Sequence, residues 1–393
     1  MKAAIRQILI IVPSLMTGLV AGCSHQQMNS NGSWDPKIAA AYLDQREAAW
    51  TKWQGSARDH GTFCVSCHTA VPYALSRPML RKKLGEGIQT AYEQKLLDNV
   101  TKRVRLWNEV NPFYSDQEYK NGNKTAESRG TESVLNALIL ANYDAANGHL
   151  SDTARLAFDN MWALQETEGE ENGSWAWLQF GMEPWEAGDS QYYGAALAAI
   201  AVGIAPENYR SNPDLENHLR ILSGYLDREY AKQSMLNHVV LLWASTKWFG
   251  LLTPERRQSI INEVLEDQQG DGGWKLSALS WPKGWSLHSM VRTWLRSDGT
   301  SQAQRSDGYA TGLIVFVLQQ SGMSAEDARL KRGLAWLVRN QSKTEGSWPS
   351  LSLTKRRNPS SEVGHFMRDA ATAYAVLALT EKSDVEPGHM AAR

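Results

Sequence analysis

The residues with the most specific chemistry stand together as Cys64-Val65-Ser66-Cys67-His68. Two thiols at that spacing can form thioether bonds to the vinyl groups of a haem, and the adjacent imidazole is then placed to ligate the iron. The expectation is a covalent haem c held by Cys64 and Cys67, with His68 as the iron ligand. Three other arrangements use the same atoms. A structural zinc site needs about four ligands, and no second cysteine pair supplies them. A redox dithiol usually heads a helix in a βαβ setting, and no such strand pattern surrounds the motif. A plain disulfide is the third. No sixth iron ligand stands out among Met79, His60, His365 and Met367.

A second group of residues is acidic. Glu132, Asp189, Asp307 and Asp369 each precede a stretch of small and apolar residues, such as Asp307-Gly-Tyr-Ala-Thr-Gly-Leu and Asp369-Ala-Ala-Thr-Ala-Tyr-Ala. An acid at such a place either caps free backbone N–H groups at a helix start or lines the mouth of a cavity. Asp307 and Asp369 are the candidate catalytic acids. Arg292, Arg296, Arg305 and the run Lys355-Arg356-Arg357 are cationic and fit a solvated loop or an anion near the cavity.

The elements that must position these groups are helical throughout. Between the acids stand three Gly-x-Trp copies, Gly173-Ser-Trp175, Gly272-Gly-Trp274 and Gly346-Ser-Trp348, each after a helical stretch with a glutamine near its end: Gln165, Gln269 and Gln341. A glycine there can take the left-handed conformation that ends a helix, the amide can bond exposed backbone ends, and the indole can cover them. At these residues the chain resembles the QW repeats of squalene–hopene cyclases and, more distantly, prenyltransferase chains. The resemblance covers about residues 125–380 and implies an α/α toroid. Amphipathic stretches at 215–230, 254–268 and 325–341 read as outer helices, and the small-residue stretches as inner ones, giving four to five helix pairs. The cyclases' Asp-x-Asp-Asp acid motif is missing, since Asp307 and Asp369 each stand alone. Zinc-dependent prenyl transfer lacks its cysteine, because none follows Cys67.

Ahead of the toroid, residues 34–110 read as a small helical, cytochrome c-like segment around the motif. Residues 1–23 carry Lys2 and Arg6 followed by an apolar stretch too short to cross a bilayer, ending Leu19-Val-Ala-Gly-Cys23. That ending resembles a bacterial lipoprotein lipobox, which makes Cys23 the lipid anchor and, with Ser24 after it, places the chain on the periplasmic side of the outer membrane. Residues 24–33 form a flexible tether and 381–393 a disordered tail.

Composition agrees with an exported, non-nucleic-acid protein. Lys+Arg at 41 against Asp+Glu at 42 gives a net charge of −1, and nucleic-acid surfaces usually need a basic excess. The three cysteines are all assigned, one to lipid and two to haem, and the sixteen tryptophans divide between helix staples and a possible cavity rim. The function expected is electron transfer, or oxidation of an apolar or aromatic small molecule, with an unidentified redox partner. Isoprenoid cyclisation through a single Asp and a non-catalytic binding module of the outer membrane are the alternatives.

Overall fold

The computed structural model describes residues 33–115, 118–119, 122–280 and 287–381. Cys23 with its signal, the tether up to residue 32, the tail from 382 and the Trp281–Trp285 stretch lie outside them.

The helices begin and end where local chemistry says they should. Asp35 caps α1 (Pro36–Lys52) by accepting from the N–H groups of Lys37 and Ile38, and Pro36 stands where a missing N–H costs nothing. α2 (Ala70–Leu84) stops at Gly85, whose φ of 72° is left-handed. Thr90 and Glu93 form a reciprocal capping box on α3 (Ala91–Arg105). Then follow α4 (Thr125–Ala145), α5 (Asp152–Trp162), α6 (Ser190–Ile204), α7 (Glu216–Glu229), α8 (Met235–Lys247) and α9 (Pro254–Glu266). After the short α10 (Leu276–Leu279) and α11 (Leu287–Trp294) come α12 (Gly308–Gln320), α13 (Ala328–Asn340) and α14 (Glu362–Thr380). The described strands are two-residue hairpins: β1 (Ala57–Arg58) with β2 (Thr62–Phe63), and β3 (Glu118–Tyr119) with β4 (Gly122–Asn123).

Six helices that are apolar nearly all round form an inner ring in the order α2, α4, α6, α8, α12, α14, and α14 packs back on α2. The amphipathic helices α1, α3, α5, α7, α9 and α13 lie outside it. This is an α/α toroid, as the repeat implies, but with six pairs in place of four or five. The sixth pair is α1 with α2. Residues 34–110 are therefore part of the toroid's own body, which runs from Trp34 onward, in place of a separate cytochrome-like segment. The physical reason is burial: α2 packs on both α4 and α14 with Ala70, Val71, Ala74 and Leu75 buried, and an open ring would leave the facing sides of α4 and α14 wet.

The Gly-x-Trp staples explain how the ring is tied. Trp175, Trp274 and Trp348 are fully buried, and their indole N–H groups donate to Met161 O, Val264 O and Leu337 O at 2.6–2.7 Å. Each amide bridges its own glycine loop to the next outer helix. Gln165 Nε2 donates to Gly173 O and His218 O, and Gln341 Nε2 to Gly346 O and Asp35 O. In the middle copy the amide is Gln268, bonded to Gly272 O and Arg329 O, rather than Gln269, which donates to Asp267 O. The glycines are needed twice over. Gly346 has φ +78°, and a Cβ there would stand 2.3 Å from Ile38 O of α1. The last staple thus closes the ring onto the first helix.

Candidate functional site

The Cys-x-x-Cys-His motif sits in the loop between α1 and α2, gripped from several sides. Trp50 Nε1 donates to Cys64 O at 2.7 Å, Asn99 pairs with both backbone groups of Phe63, and Ser66 Oγ accepts from Thr69 N and Ala70 N to start α2. Cys64 and Cys67 are buried and unbridged. Burial pushes the Cys64 thiol up to about 11 and the Cys67 thiol well above its usual range, so neither is an activated nucleophile.

His68 is oriented by a chain of hydrogen bonds. Its Nδ1 lies 2.9 Å from Thr69 Oγ1, and that hydroxyl donates to Asp369 Oδ2 at 2.9 Å. A hydroxyl has one proton; since it goes to the carboxylate, Nδ1 must carry the proton and Nε2 the lone pair. Burial, and then Arg46, hold the imidazole neutral by lowering its pKa far below the ordinary value. Asp369 is in turn fixed by Tyr42 OH at 2.9 Å and Arg46 Nε at 3.0 Å, while Arg46 Nη2 reaches Glu362 at 2.7 Å. The ring of His68 stacks on Phe366 with centroids 3.5 Å apart and meets the edge of Trp50 at 5.0 Å. It lines a narrow cleft of about 20 Å³ with Met182, Glu183, Trp185, Thr354 and Met367.

Asp369 is not at a helix start, because α14 begins seven residues earlier at Glu362; Glu132 likewise lies inside α4. Each is bound to an arginine of an outer helix, Asp369 to Arg46 and Glu132 to Arg103. Asp307 does cap α12, accepting from Tyr309 N, Ala310 N and Ser350 Oγ. Asp189 precedes α6 without capping it. Burial raises the Asp307 and Asp369 carboxyls to about 6 against the pull of these donors. Asp307 and Asp369 share no hydrogen-bond partner; both oxygens of Asp369 and the Oδ1 of Asp307 accept from protein donors.

The ring interior between them is packed with aromatic side chains. Tyr309 meets Tyr374, Trp243 meets both Phe316 and Tyr374, and Trp185 Nε1 donates to Tyr309 OH at 3.2 Å. Tyr309 and Phe316 lie on α12 and meet its ring neighbours α14 and α8, while Trp243 with Tyr374 joins α8 to α14, which are not neighbours, so that contact reaches across the interior. Two buried glutamates escaped the sequence reading. Glu47 is fully buried with neither carboxyl oxygen bonded, and Glu186 has an unbonded Oε2; burial raises both to about 8. Glu47 was findable, since Leu43, Glu47 and Trp50 follow the helical spacing of the apolar stripe of α1. Glu186 lies in a loop with no periodic signal.

No family model matches this chain, and no curated protein does. Among solved structures, the GH76A α-1,6-mannanase from Salegentibacter sp. HEL1_6 superposes with a TM-score of 0.50 at 12% identity, covering 88% of this chain and 100% of that one. A glycosidase variant gives 0.47 at 13% identity over 90% of this chain and 98% of that chain. An ent-copalyl diphosphate synthase from Streptomyces platensis gives 0.42 at 14% identity over 78% of this chain and 50% of that one. Identities this low show the fold alone. The class is that of α/α toroids.

Proposed function

We propose that the chain is an exported electron-transfer protein, anchored through Cys23 to the periplasmic side of the outer membrane, whose toroid carries a covalent haem c at the Cys64/Cys67/His68 loop. The observation that carries this reading is the imidazole geometry. A metal-binding histidine commonly donates its far ring N–H through a hydrogen bond to a carboxylate or carbonyl, which fixes tautomer and direction. His68 has that support through Thr69 and Asp369, and the pocket it lines holds two thioether sulfurs, Met182 and Met367. The donor set fits a haem: Cys64 and Cys67 would hold the macrocycle and His68 the iron. The group would supply one-electron transfer.

The chain's own residues do the rest. Thr69 and Asp369 hold the His68 proton on Nδ1, Trp50 and Phe366 clamp the ring face, and Glu186 adds a buried acid beside the thiols. With its walls in place the cleft, at about 20 Å³, is far smaller than the roughly 300–1,000 Å³ that houses drug-sized ligands. Attachment therefore requires the 182–185 turn or the 352–357 strap to move outward. The aromatic packing of the ring interior favours electron transfer over oxidation of a guest held inside the toroid, and leaves Asp307 and Asp369 without a substrate-facing proton for isoprenoid cyclisation.

Mass and visible spectrum of the protein exported from a host with haem-attachment machinery test the reading. The expected result is a covalent adduct with a c-type spectrum, lost in Cys67→Ala. An intact mass without adduct overturns it. That result favours the second reading, a non-catalytic binding module, to which the filled interior already points.

A further inference from the structure

The rim near the His68 pocket exposes apolar side chains that the toroid does not use. Trp294 is 62% exposed, Val291 50%, Leu351 45% and Leu295 40%. They belong to one surface: α11 and the turn after it are bound to the 352–354 strap through Ser297 N to Thr354 O and Arg296 Nε to Ser352 O. Water-facing tryptophan and aliphatic side chains grouped in this way mark an interaction surface.

The surroundings are cationic. Arg296, Lys355, Arg356 and Arg357 flank the patch, with Asp298 as the nearby acid that accepts from Arg356 N. Next to Leu351 opens a surface pocket that carries Arg305, Arg339 and Arg368, the last paired with Glu345. Arg305 has no hydrogen bond or ion pair among the described residues, and nothing in the fold calls for it there. An apolar tip within a ring of cations suits the interface of an anionic bilayer, where tryptophan sits at headgroup depth and each cation adds attraction.

The chain's entry point agrees. Gln341 lines the same pocket as Leu351, and its amide holds Asp35 on both sides, Asp35 N to Oε1 at 2.7 Å and Nε2 to Asp35 O at 2.8 Å. The body therefore begins, at Trp34 and Asp35, beside the patch. We infer that the face made by Val291, Trp294, Leu295 and Leu351, with the cations around it, docks on an anionic phospholipid surface. The anchor reading supports the inference, but the face itself is tested without the anchor.

The chain from residue 24 onward contains the whole body, which starts at Trp34, and has no lipid. It is mixed with vesicles of phosphatidylglycerol and phosphatidylethanolamine, or of phosphatidylcholine alone, and the bound fraction is measured by sedimentation. Binding to the anionic vesicles is expected, weakened by salt. Trp294→Ser with Leu295→Ser should reduce it by roughly tenfold or more, from the apolar area withdrawn. Arg305→Ala with Arg356→Ala should reduce it by roughly ten- to thirtyfold, since each cation near an anionic surface contributes several-fold. Circular dichroism and melting temperature confirm that these rim variants keep the fold. No binding to anionic vesicles, equal binding to both vesicle types, or unchanged binding by the apolar double variant overturns the inference. Failure of the anchor reading shows separately, as no acyl group on Cys23 of the exported protein.

Discussion

Two buried acid–arginine pairs flank the Cys-x-x-Cys-His loop, and they differ in where their hydrogen bonds lead. On the entry side, Glu132 of α4 takes both Nε and Nη2 of Arg103 at 2.5 and 3.0 Å, and Arg103 passes its remaining donors to Thr62 Oγ1 and Asn111 O. On the exit side, Asp369 of α14 takes Arg46, but it also takes two neutral hydroxyls, Tyr42 and Thr69, and Thr69 continues to His68. The first pair is a strut between rings that ends on a hydroxyl and a backbone carbonyl. The second is a strut with a branch to an imidazole. An acid on an inner helix is thus not evidence of chemistry; its partners decide.

The largest effect should come from breaking the strut whose remaining acid is farther away. Glu132→Ala leaves the fully buried Arg103 with only the 3.8 Å pair to Asp59, at a cost of about 3–5 kcal/mol in urea unfolding. Asp369→Ala should cost less, about 2–3 kcal/mol, because Arg46 keeps Glu362. Equal losses would mean that Glu362 contributes nothing and that the comparison fails.

The pH dependence of stability comes next. Glu47 and Glu186 are raised from the ordinary 4.5 to about 8, so the folded chain holds protons that the unfolded chain releases. Between about pH 4.5 and pH 8 the native state binds more protons, and stability falls as pH rises through that window. Glu47→Gln should flatten the fall and raise the melting temperature most at pH 8. A steeper slope in that variant would show that Glu47 is ionised in the fold.

The smallest change is the most diagnostic. Thr69→Val and Thr62→Val each remove one hydroxyl that makes two hydrogen bonds, a loss of about 1–2 kcal/mol. Only Thr69→Val should alter His68, seen as loss of the protected Nδ1 proton resonance and, in haem-loaded protein, as a shifted reduction potential. Thr69→Ser should restore both. If Thr62→Val moves the His68 signal equally, the branch has no special role.

Much of the architecture was legible from particular residues. The Gly-x-Trp spacing gave the staples because glycine conformation, amide bonding and indole burial are short-range demands that recur wherever an outer helix meets the next. The middle amide was misplaced by one residue, Gln269 for Gln268, because neighbouring glutamines at a helix end differ only in the direction the last turn gives them. Asp307 was correctly set at a helix start, whereas Asp369 and Glu132 were not, since residues 362–368 and 125–131 also accept helical conformation. Glu186 left no pattern to follow.

What the sequence by itself determined is local: an all-helical chain, inner and outer stripes, the stapling loops, and a thiol–imidazole motif whose spacing suits a haem. The tertiary structure alone decided that α1 and α2 complete the ring, because closure depends on apolar faces of α4 and α14 that must be covered by some helix, and nothing in the spacing of residues 34–110 names their neighbours. It also decided that Asp369, some 300 residues from Thr69 along the chain, sets the proton on His68. Hydrogen bonds act over about 3 Å, and only the folded ring brings those residues within that distance.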